Sequence, residues 1–372
     1  MTAYVFIQPL DVLFLRGNRL FGDPGSYGES LIPPWPSAIA GALRSHILAK
    51  DGCDLMAFAA GGVAHPELGT PEQPGPFGIT GFQLARLGTD GPHALHALPA
   101  DLILTRHEDG TLAIQTLKPT APGAGIESSS ALDRLPVLAA RTRAKPAAGY
   151  WLTDDGWRDY LMGKPPAPEQ VVDAAQLWRL DPRVGVGLDP IRRRAEDGKL
   201  FTAQAVAFTP EMGFLAGVTG VHDLQAGVLR LGGDGRAARL TLTPYQPPVA
   251  DYPAIAAGRR ARLVLTTPGL FAGGWRLPGV DAAGHFQLGP VRGRLVCAAV
   301  PRYEVISGWD QARHRPKPAC RMAPAGSVYW LEDLQAGAAD LDNLAAAGLW
   351  RDPGENAQRR AEGFNRFTFA VY

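Results

Sequence analysis

The sequence predicts an α+β protein with two domains, and three observations support this. The chain has 372 residues, which is long enough for two domains of ordinary size with separate cores. Short apolar segments typical of strands alternate with a few segments of helical periodicity. The 44 glycines and 33 prolines indicate many loops, while a hydrophobic content of 46% argues against wholesale disorder.

The N-terminal region predicts a strand, a loop and a helix. Residues 4–15 are mostly aliphatic or aromatic, as in a buried strand, although Pro9 makes one unbroken strand unfavourable. Residues 16–25 contain two arginines, and their glycines let the backbone approach another molecule closely. A helix is predicted from residue 36 or 37 through about residue 49, because apolar residues recur four positions apart. These residues are Ile39, Leu43 and Ile47.

The same signals predict the later elements. We expect further strands at 77–87, 96–105, 202–208, 214–221, 238–244, 261–267, 291–306 and 364–372. We expect further helices at 154–162, 171–178 and 341–349.

Charge and cysteine usage limit the function classes. The 37 basic and 36 acidic side chains give a net charge of +1, so any RNA contact is expected to be a local patch. Cys53, Cys297 and Cys320 are far apart in sequence, which predicts neither a zinc site nor a disulfide framework. We expect no cofactor and no metal. The sequence shows no signal peptide and no long apolar span, so we expect a cytoplasmic protein without membrane contacts.

Two N-terminal stretches resemble a known family. They are Gln8-Pro9-Leu10-Asp11 through Arg16-Gly17-Asn18-Arg19-Leu20-Phe21, and Pro33-Pro34-Trp35-Pro36-Ser37-Ala38-Ile39-Ala40-Gly41-Ala42-Leu43-Arg44. The chain here is similar to the Cmr3-type subunit of type III-B CRISPR effector complexes, a RAMP-superfamily protein. Blocks at 183–201, 231–236, 309–331 and 363–365 extend the resemblance in the same order. The last block reads Gly363-Phe364-Asn365, where the family pattern resembles Gly-Phe-Gly, and asparagine tolerates positive φ next best after glycine.

The resemblance implies a more detailed fold than composition does. It implies two tandem ferredoxin-like (RRM-like) domains with long loop insertions, over residues 1–209 and 210–372. It further implies that residues 181–189 form a glycine-containing turn. A basic run and the closing strand of the first domain would follow this turn.

The resemblance also implies a non-catalytic subunit acting in antiviral defence. Such proteins bind the repeat-derived 5′ handle of the CRISPR guide RNA, dock on the large polymerase-like subunit and neighbour other RAMP backbone subunits. Arginines pair bidentately with phosphate, and glycine loops admit close backbone approach. The RNA-binding residues predicted on this basis are Arg16, Asn18, Arg19, Arg192, Arg193, Arg194, Gly232, Gly233, Arg236, Arg313, Arg315, Lys317 and Arg321.

Aromatic residues near these arginines are candidates for stacking on unpaired bases. The candidates are Phe21, Trp309 and Tyr329. The alternative for any single arginine is a solvated charge or a structural salt bridge, and for each aromatic it is core packing. A subunit that contacts only proteins, with its neighbours making all RNA contacts, is a further alternative.

His46 keeps an enzymatic alternative open. Related RAMP endonucleases use a histidine on the first helix as general base, and His46 would fill this role here. His46 also borders the apolar face of the helix, so the alternative is a partly buried core histidine. Gly232-Gly233-Asp234 is similar to the hairpin in which cyclases and polymerases hold two metal ions. Only one carboxylate, Asp234, is present here, and Arg236 follows it closely, which makes a poor two-metal site. The glycines instead suit close backbone approach to RNA, and a purely structural β-turn is an equally good interpretation.

Overall fold

The computed structural model describes residues 2–17, 27–123, 125, 127–128, 130–140, 145–189, 191–310, 315–351 and 355–372. This part of the chain forms a mixed α+β fold that is rich in strands and has few helices. The described helices are α1 (Pro36–Lys50), α2 (Leu55–Ala59), α3 (Asp154–Leu161), α4 (Tyr252–Gly258), α5 (Ala338–Ala347) and α6 (Ala357–Ala361).

The described strands are β1 (Ala3–Pro9), β2 (Tyr27–Gly28), β3 (Gly78–Gly88), β4 (Gly91–Ala97), β5 (Leu102–Arg106), β6 (Leu112–Thr116), β7 (Lys118–Thr120), β8 (Leu135–Val137), β9 (Tyr150–Thr153), β10 (Val171–Asp173), β11 (Trp178–Asp189), β12 (Arg194–Phe208), β13 (Met212–Thr219), β14 (Gly227–Arg230), β15 (Ala237–Thr243), β16 (Ala261–Leu265), β17 (His285–Leu288), β18 (Val291–Ala299), β19 (Glu304–Ile306), β20 (Trp309–Asp310), β21 (Arg315–Pro316), β22 (Cys320–Met322), β23 (Val328–Gln335) and β24 (Phe367–Ala370).

The first sheet has eight strands in the order β10-β9-β4-β3-β13-β1-β15-β14. Strand β1 lies inside it, because Val5 is opposite Ala216 of β13 and Leu242 of β15 in antiparallel register. Both of its faces are also covered, since Val5 and Ile7 belong to one core cluster and Phe6 to another, which explains its continuous apolar sequence. The chain leaves the sheet after Pro9, as the proline predicts.

Helix α1 covers one face of this sheet. It begins at Pro36, whose fixed φ suits the first helical position, and it ends at Lys50, close to the predicted limits. The predicted apolar stripe is confirmed, since Ile39 and Leu43 are fully buried and Ile47 is nearly so. These side chains belong to one core cluster with apolar residues of β1 and β13.

Two predicted elements are wrong. Residues 171–178 form β10 and a 3₁₀ turn instead of a helix, because the β-branched Val171 and Val172 favour extended pairing with β9. Residues 181–189 form strand β11 instead of a glycine turn. The ring of Phe201 on the partner strand lies over Gly185, where a Cβ atom would be 2.3 Å from it. Glycine therefore makes room here for a cross-strand aromatic ring.

Helix α3 is tied to the first sheet by one carboxylate. The Asp154 carboxylate accepts hydrogen bonds from Ala94 N (2.8 Å), His96 Nε2 (2.9 Å) and the Tyr245 hydroxyl (2.8 Å). Burial acts to raise the pKa of Asp154, but the hydrogen bonds and the His96 charge outweigh it and hold the pKa below its ordinary value. Thr153 caps the N-terminus of this helix, since its hydroxyl accepts a hydrogen bond from Gly156 N.

The second sheet has five strands in the order β17-β18-β23-β16-β24. Helices α4 and α5 contribute Ile255 and Leu341 to the core on one of its faces. On the other side, Trp157, Tyr160 and Leu161 of α3 share a core cluster with apolar residues of this sheet. Helix α3 thus contacts the first sheet by its N-terminus and the second sheet by its apolar face.

A buried ion pair joins the same two parts of the chain. Arg262 of β16 places Nη1 2.9 Å from Oδ2 of Asp101, which is 0% exposed and follows β4. The Tyr160 hydroxyl donates to the other carboxylate oxygen at 2.9 Å. The guanidinium also lies 4.1 Å from the centre of the Tyr160 ring and donates to the carbonyls of Tyr160 and Val371. Every polar group of this network has a partner within the chain.

The last strand in sequence that pairs in the first sheet is β15, and the first that pairs in the second sheet is β16. Strands β13, β14 and β15 follow residue 209 in sequence, and yet they pair in the first sheet. The division of the chain into domains of 1–209 and 210–372 stays a prediction, as does their ferredoxin-like arrangement. Among the described residues, no helix is both long and apolar enough to span a membrane.

Candidate nucleic-acid interface

A long antiparallel hairpin, β11–β12, carries one predicted basic group at its tip. Its register runs from Trp178 opposite Phe208 to Asp189 opposite Arg194. Asp189 Oδ1 accepts the backbone N–H groups of residues 191 and 192 at 2.9 and 3.0 Å, and Arg193 has a φ of 50°. This turn leaves the three side chains of Arg192, Arg193 and Arg194 exposed to solvent.

The base of the hairpin rests on Phe14, which follows β1. Phe14 is 7% exposed and packs with Ala203 and Ala205 of β12. The guanidinium of Arg236 lies 5.3 Å from the centre of the Phe14 ring, and that of Arg183 lies 6.0 Å from it. Both distances are within the range of cation–π attraction. The ring therefore holds two cations side by side at the root of the hairpin.

The carboxylate of Asp11 lies near both of these cations. Asp11 forms an ion pair with Arg236. The pKa of Asp11 is lowered, first by the hydrogen bond from the backbone of Val12 and then by the charges of Arg236 and Arg183. Arg183 has its own partner, since its Nη2 lies 2.9 Å from Asp181. The Arg183–Asp181 pair is exposed on both sides, and pairs of this kind contribute little to stability, whereas the Arg236 side chain is only 26% exposed.

The predicted glycine loop packs on the same phenylalanine. Gly233 N donates to the Phe14 carbonyl at 2.9 Å, and Gly232 has a φ of 78°. A Cβ atom on Gly232 would lie 2.7 Å from that carbonyl oxygen. The close backbone approach expected of these glycines is thus made to the chain's own N-terminal segment. The loop positions Arg236.

Arg16 lies along the other edge of the hairpin. It is exposed, and its backbone bridges to Ser30, whose N–H donates to Gln204 Oε1 of β12 at 3.1 Å. Its predicted neighbours Asn18 and Arg19, and the aromatic candidate Phe21, lie outside the described residues. The structure therefore brings three predicted groups to one hairpin: Arg16, the arginines at 192–194, and the loop ending in Arg236.

The fourth predicted group lies elsewhere, near β20, β21 and β22. Arg315 is exposed, whereas Lys317 Nζ is 2.9 Å from Oε1 of the buried Glu362. Arg321 lies 4.8 Å from the centre of the Tyr303 ring. Arg313 lies outside the described residues. Of the two remaining aromatic candidates, Trp309 is 52% exposed and Tyr329 is fully buried in the core.

The catalytic alternatives find little geometric support. His46 is 6% exposed, and its Nε2 lies 3.0 Å from the Gln225 carbonyl oxygen, to which it donates. A nitrogen that donates to a carbonyl does not accept a proton from a ribose hydroxyl. Asp234 has a φ of 57° in the loop beside Phe14. Within the described ranges, no three His, Cys, Asp or Glu side chains group as metal ligands.

Comparison with protein families gives a match along nearly the whole chain. The family described as CRISPR-associated protein Cas_Cmr3 matches residues 5–370. The chain belongs to the Cmr3 family. It is accordingly a component of a type III-B CRISPR complex, which confirms the resemblance seen in the sequence.

Solved structures similar to this Cmr3-family chain include two cryo-EM structures of the type III-B Cmr-beta complex bound to cognate target RNA, one of them also with AMPPnP. Both matched chains are 15% identical to it with a TM-score of 0.49. The alignments cover 98% of this chain and 96% and 95% of the matched chains. No curated protein matches the sequence.

Sequence reasoning missed one residue of this Cmr3-family surface. Arg183 was not among the predicted RNA-binding residues, because the segment around it was expected to be a turn. Read as a strand, the alternation from Leu180 to Val186 puts Arg183 on the face opposite the apolar side chains. That face is the one that meets Phe14.

Proposed function

We propose that this chain binds the repeat-derived 5′ handle of the CRISPR guide RNA in a cytoplasmic type III-B complex, without cutting it. The observation that supports this most is the joining of Arg183 and Arg236 on Phe14 at the root of a hairpin whose tip carries Arg192–Arg194. At the root each of the two arginines faces an aspartate, Asp11 or Asp181, and at the tip Asp189 lies 3.9 Å from Arg192, so the cluster of guanidinium groups is a local patch in a chain with a net charge of +1.

The hairpin has the geometry of a clamp for a single strand. Arginines lie at both ends of the hairpin, one group at its tip and one at its root. Their forked guanidinium groups pair with successive phosphates of the strand. Phosphate contacts fix the path of a strand but carry no sequence information. Selectivity for the handle therefore requires further contacts to bases.

The exposed apolar side of the hairpin suits a protein neighbour. Leu180, Val184 and Leu188 are 49%, 70% and 65% exposed, and Leu180 and Val184 lie on the strand face opposite Arg183, whose guanidinium meets Phe14. Exposed apolar residues in a row are typical of surfaces that a partner covers. We propose that the chain docks in this complex on the large polymerase-like subunit and beside other RAMP subunits.

The test is RNA binding by the purified chain, alone and with the large subunit. Guide RNA with the handle is compared with RNA carrying a scrambled handle at two salt concentrations, and gels of the products report cleavage. Handle-dependent binding that weakens with salt, without cleavage, is the expected result. Metal-independent cleavage would point instead to the endonuclease alternative, with His46→Ala as the next variant.

A tip variant tests the arginines themselves. Arg192→Ala, Arg193→Asn and Arg194→Ala are combined, because asparagine tolerates the positive φ at position 193. If each arginine neutralises one phosphate of single-stranded RNA, the slope of log affinity against log salt falls by about 2. The control removes three exposed arginines elsewhere, Arg158, Arg239 and Arg351, and should leave the slope unchanged. Equal losses in both variants would contradict the proposed hairpin surface.

A further inference from the structure

A cavity of about 500 Å³ lies apart from the hairpin, beside the second sheet. It opens between the segment around β8, the loop at Trp275, and the chain that follows β18. Its wall is formed mainly by apolar side chains, including Leu132, Pro136 and Val300. The volume falls within the usual range of small-ligand sites, roughly 300–1,000 Å³.

The charged residues of this cavity are all arginines. Arg134, Arg302 and Arg321 line it, and none of the described lining residues is an aspartate or a glutamate. Arg134 is neutralised, because its two Nη atoms lie 2.7 and 2.8 Å from the carboxylate oxygens of Glu332. Arg302 and Arg321 form no ion pair with a carboxylate in the part of the chain that the structure describes. The mouth of the cavity thus carries two uncompensated positive charges.

Two aromatic rings stand at the same mouth. Tyr303 is 54% exposed, and the Arg321 guanidinium lies 4.8 Å from the centre of its ring. Trp275 is 37% exposed, and its loop is held in place because the Tyr329 hydroxyl donates to the Trp275 carbonyl at 2.7 Å. An aromatic ring beside an arginine offers a stacking face and a phosphate partner together.

We infer that this cavity binds one unpaired nucleotide. The base lies against the apolar wall and the rings of Tyr303 and Trp275, and the phosphate pairs with Arg302 and Arg321. A cavity whose described lining carries arginines and no carboxylate favours an anion, and its apolar wall favours a planar ring over an extended acidic peptide. This inference rests on the proposed RNA binding, because the nucleotide is an unstacked one of the bound RNA strand. A free mononucleotide has the same chemistry.

Photo-crosslinking tests the inference. Handle-bearing RNAs with 4-thiouridine at successive positions are bound to the full chain and irradiated, and crosslinked peptides are identified by mass spectrometry. One position should crosslink to the peptides of Trp275 or Tyr303. Tyr303→Ala should weaken RNA binding on the order of 10-fold, because a base stacked on an aromatic ring contributes about 1–3 kcal/mol. Tyr303→Phe keeps the ring and should bind normally.

The outcomes separate the two proposals. RNA binding that persists with no crosslink in the cavity and no effect of Tyr303→Ala would overturn the cavity inference and leave the hairpin surface standing. Absence of RNA binding by the unaltered chain would overturn the proposed function. In that case photo-crosslinking with 8-azido-AMP tests whether the cavity binds a free mononucleotide. Labelling of the Tyr303 peptide, if it is suppressed by excess AMP, would show that it does. Thermal unfolding of Tyr303→Ala should be unchanged, since the side chain is half exposed.

Discussion

Replacing Asp101 with asparagine should destabilise the protein far more than a surface change of the same kind. The substitution keeps the shape of the side chain and removes the charge that faces Arg262 at 2.9 Å. The guanidinium would keep its hydrogen bonds to the carbonyls of Tyr160 and Val371. It would remain a buried cation without an anion. Removing one partner of such a pair costs about 3–5 kcal/mol of unfolding free energy.

Urea unfolding followed by circular dichroism measures this loss. The control is Asp155→Asn, which breaks an exposed pair with Arg158 and should cost about 0–1 kcal/mol. The double variant Asp101→Asn, Arg262→Met removes the buried charge as well and should recover part of the stability. If Asp101→Asn costs no more than Asp155→Asn, the pair does not hold α3 and the second sheet together as the geometry indicates.

Three further predictions concern pH, backbone and thiols. The folded-state pKa of Asp154 is lowered, so its ionised form should stabilise the fold above about pH 4. This stabilisation should disappear as pH falls through the folded-state pKa. In the Asp154→Asn variant, the free energy of unfolding should vary less over this pH range. Gly232→Ala should lower the melting temperature more than Gly235→Ala, because both have positive φ but only the first would meet a backbone oxygen at 2.7 Å, and equal losses would contradict this. Iodoacetamide at pH 8 should modify the exposed Cys320 and spare Cys297, since burial raises the pKa of the Cys297 thiol to about 12, and modification of Cys297 in the folded protein would refute this.

The sequence predicted those elements whose signals are local. Helix α1 has its proline start and its apolar stripe within fifteen residues, and the structure reproduces both. The segment at 181–189 was wrongly predicted, because a glycine such as Gly185 is typical of a turn. In the structure this glycine makes room for the ring of Phe201 on the paired strand, which no local pattern shows. Pairing of β13 and β15 with β1 depends on contacts more than 200 residues apart, which no local pattern contains.

The candidate site was predictable in part for the same reason. Arginine-rich stretches are visible in a sequence, but the carboxylate that faces an arginine is not. Lys317 was predicted to bind RNA, and its Nζ lies 2.9 Å from Glu362, which is 45 residues further along the chain. Its role in RNA contact stays a prediction, as do those of the other predicted residues. Arg183 became visible only once its segment was known to be a strand.

The central place of β1 in the first sheet sets an order of events during synthesis. Strand β1 is synthesised before both of the strands that pair with it, which end at Thr219 and Thr243. At elongation rates of roughly 5–20 residues per second, more than about ten seconds separate the synthesis of this strand from the synthesis of β15, its second partner. During that time an apolar segment with two open edges needs protection. Yield of folded protein should therefore respond more to chaperone supply during translation than to any later step.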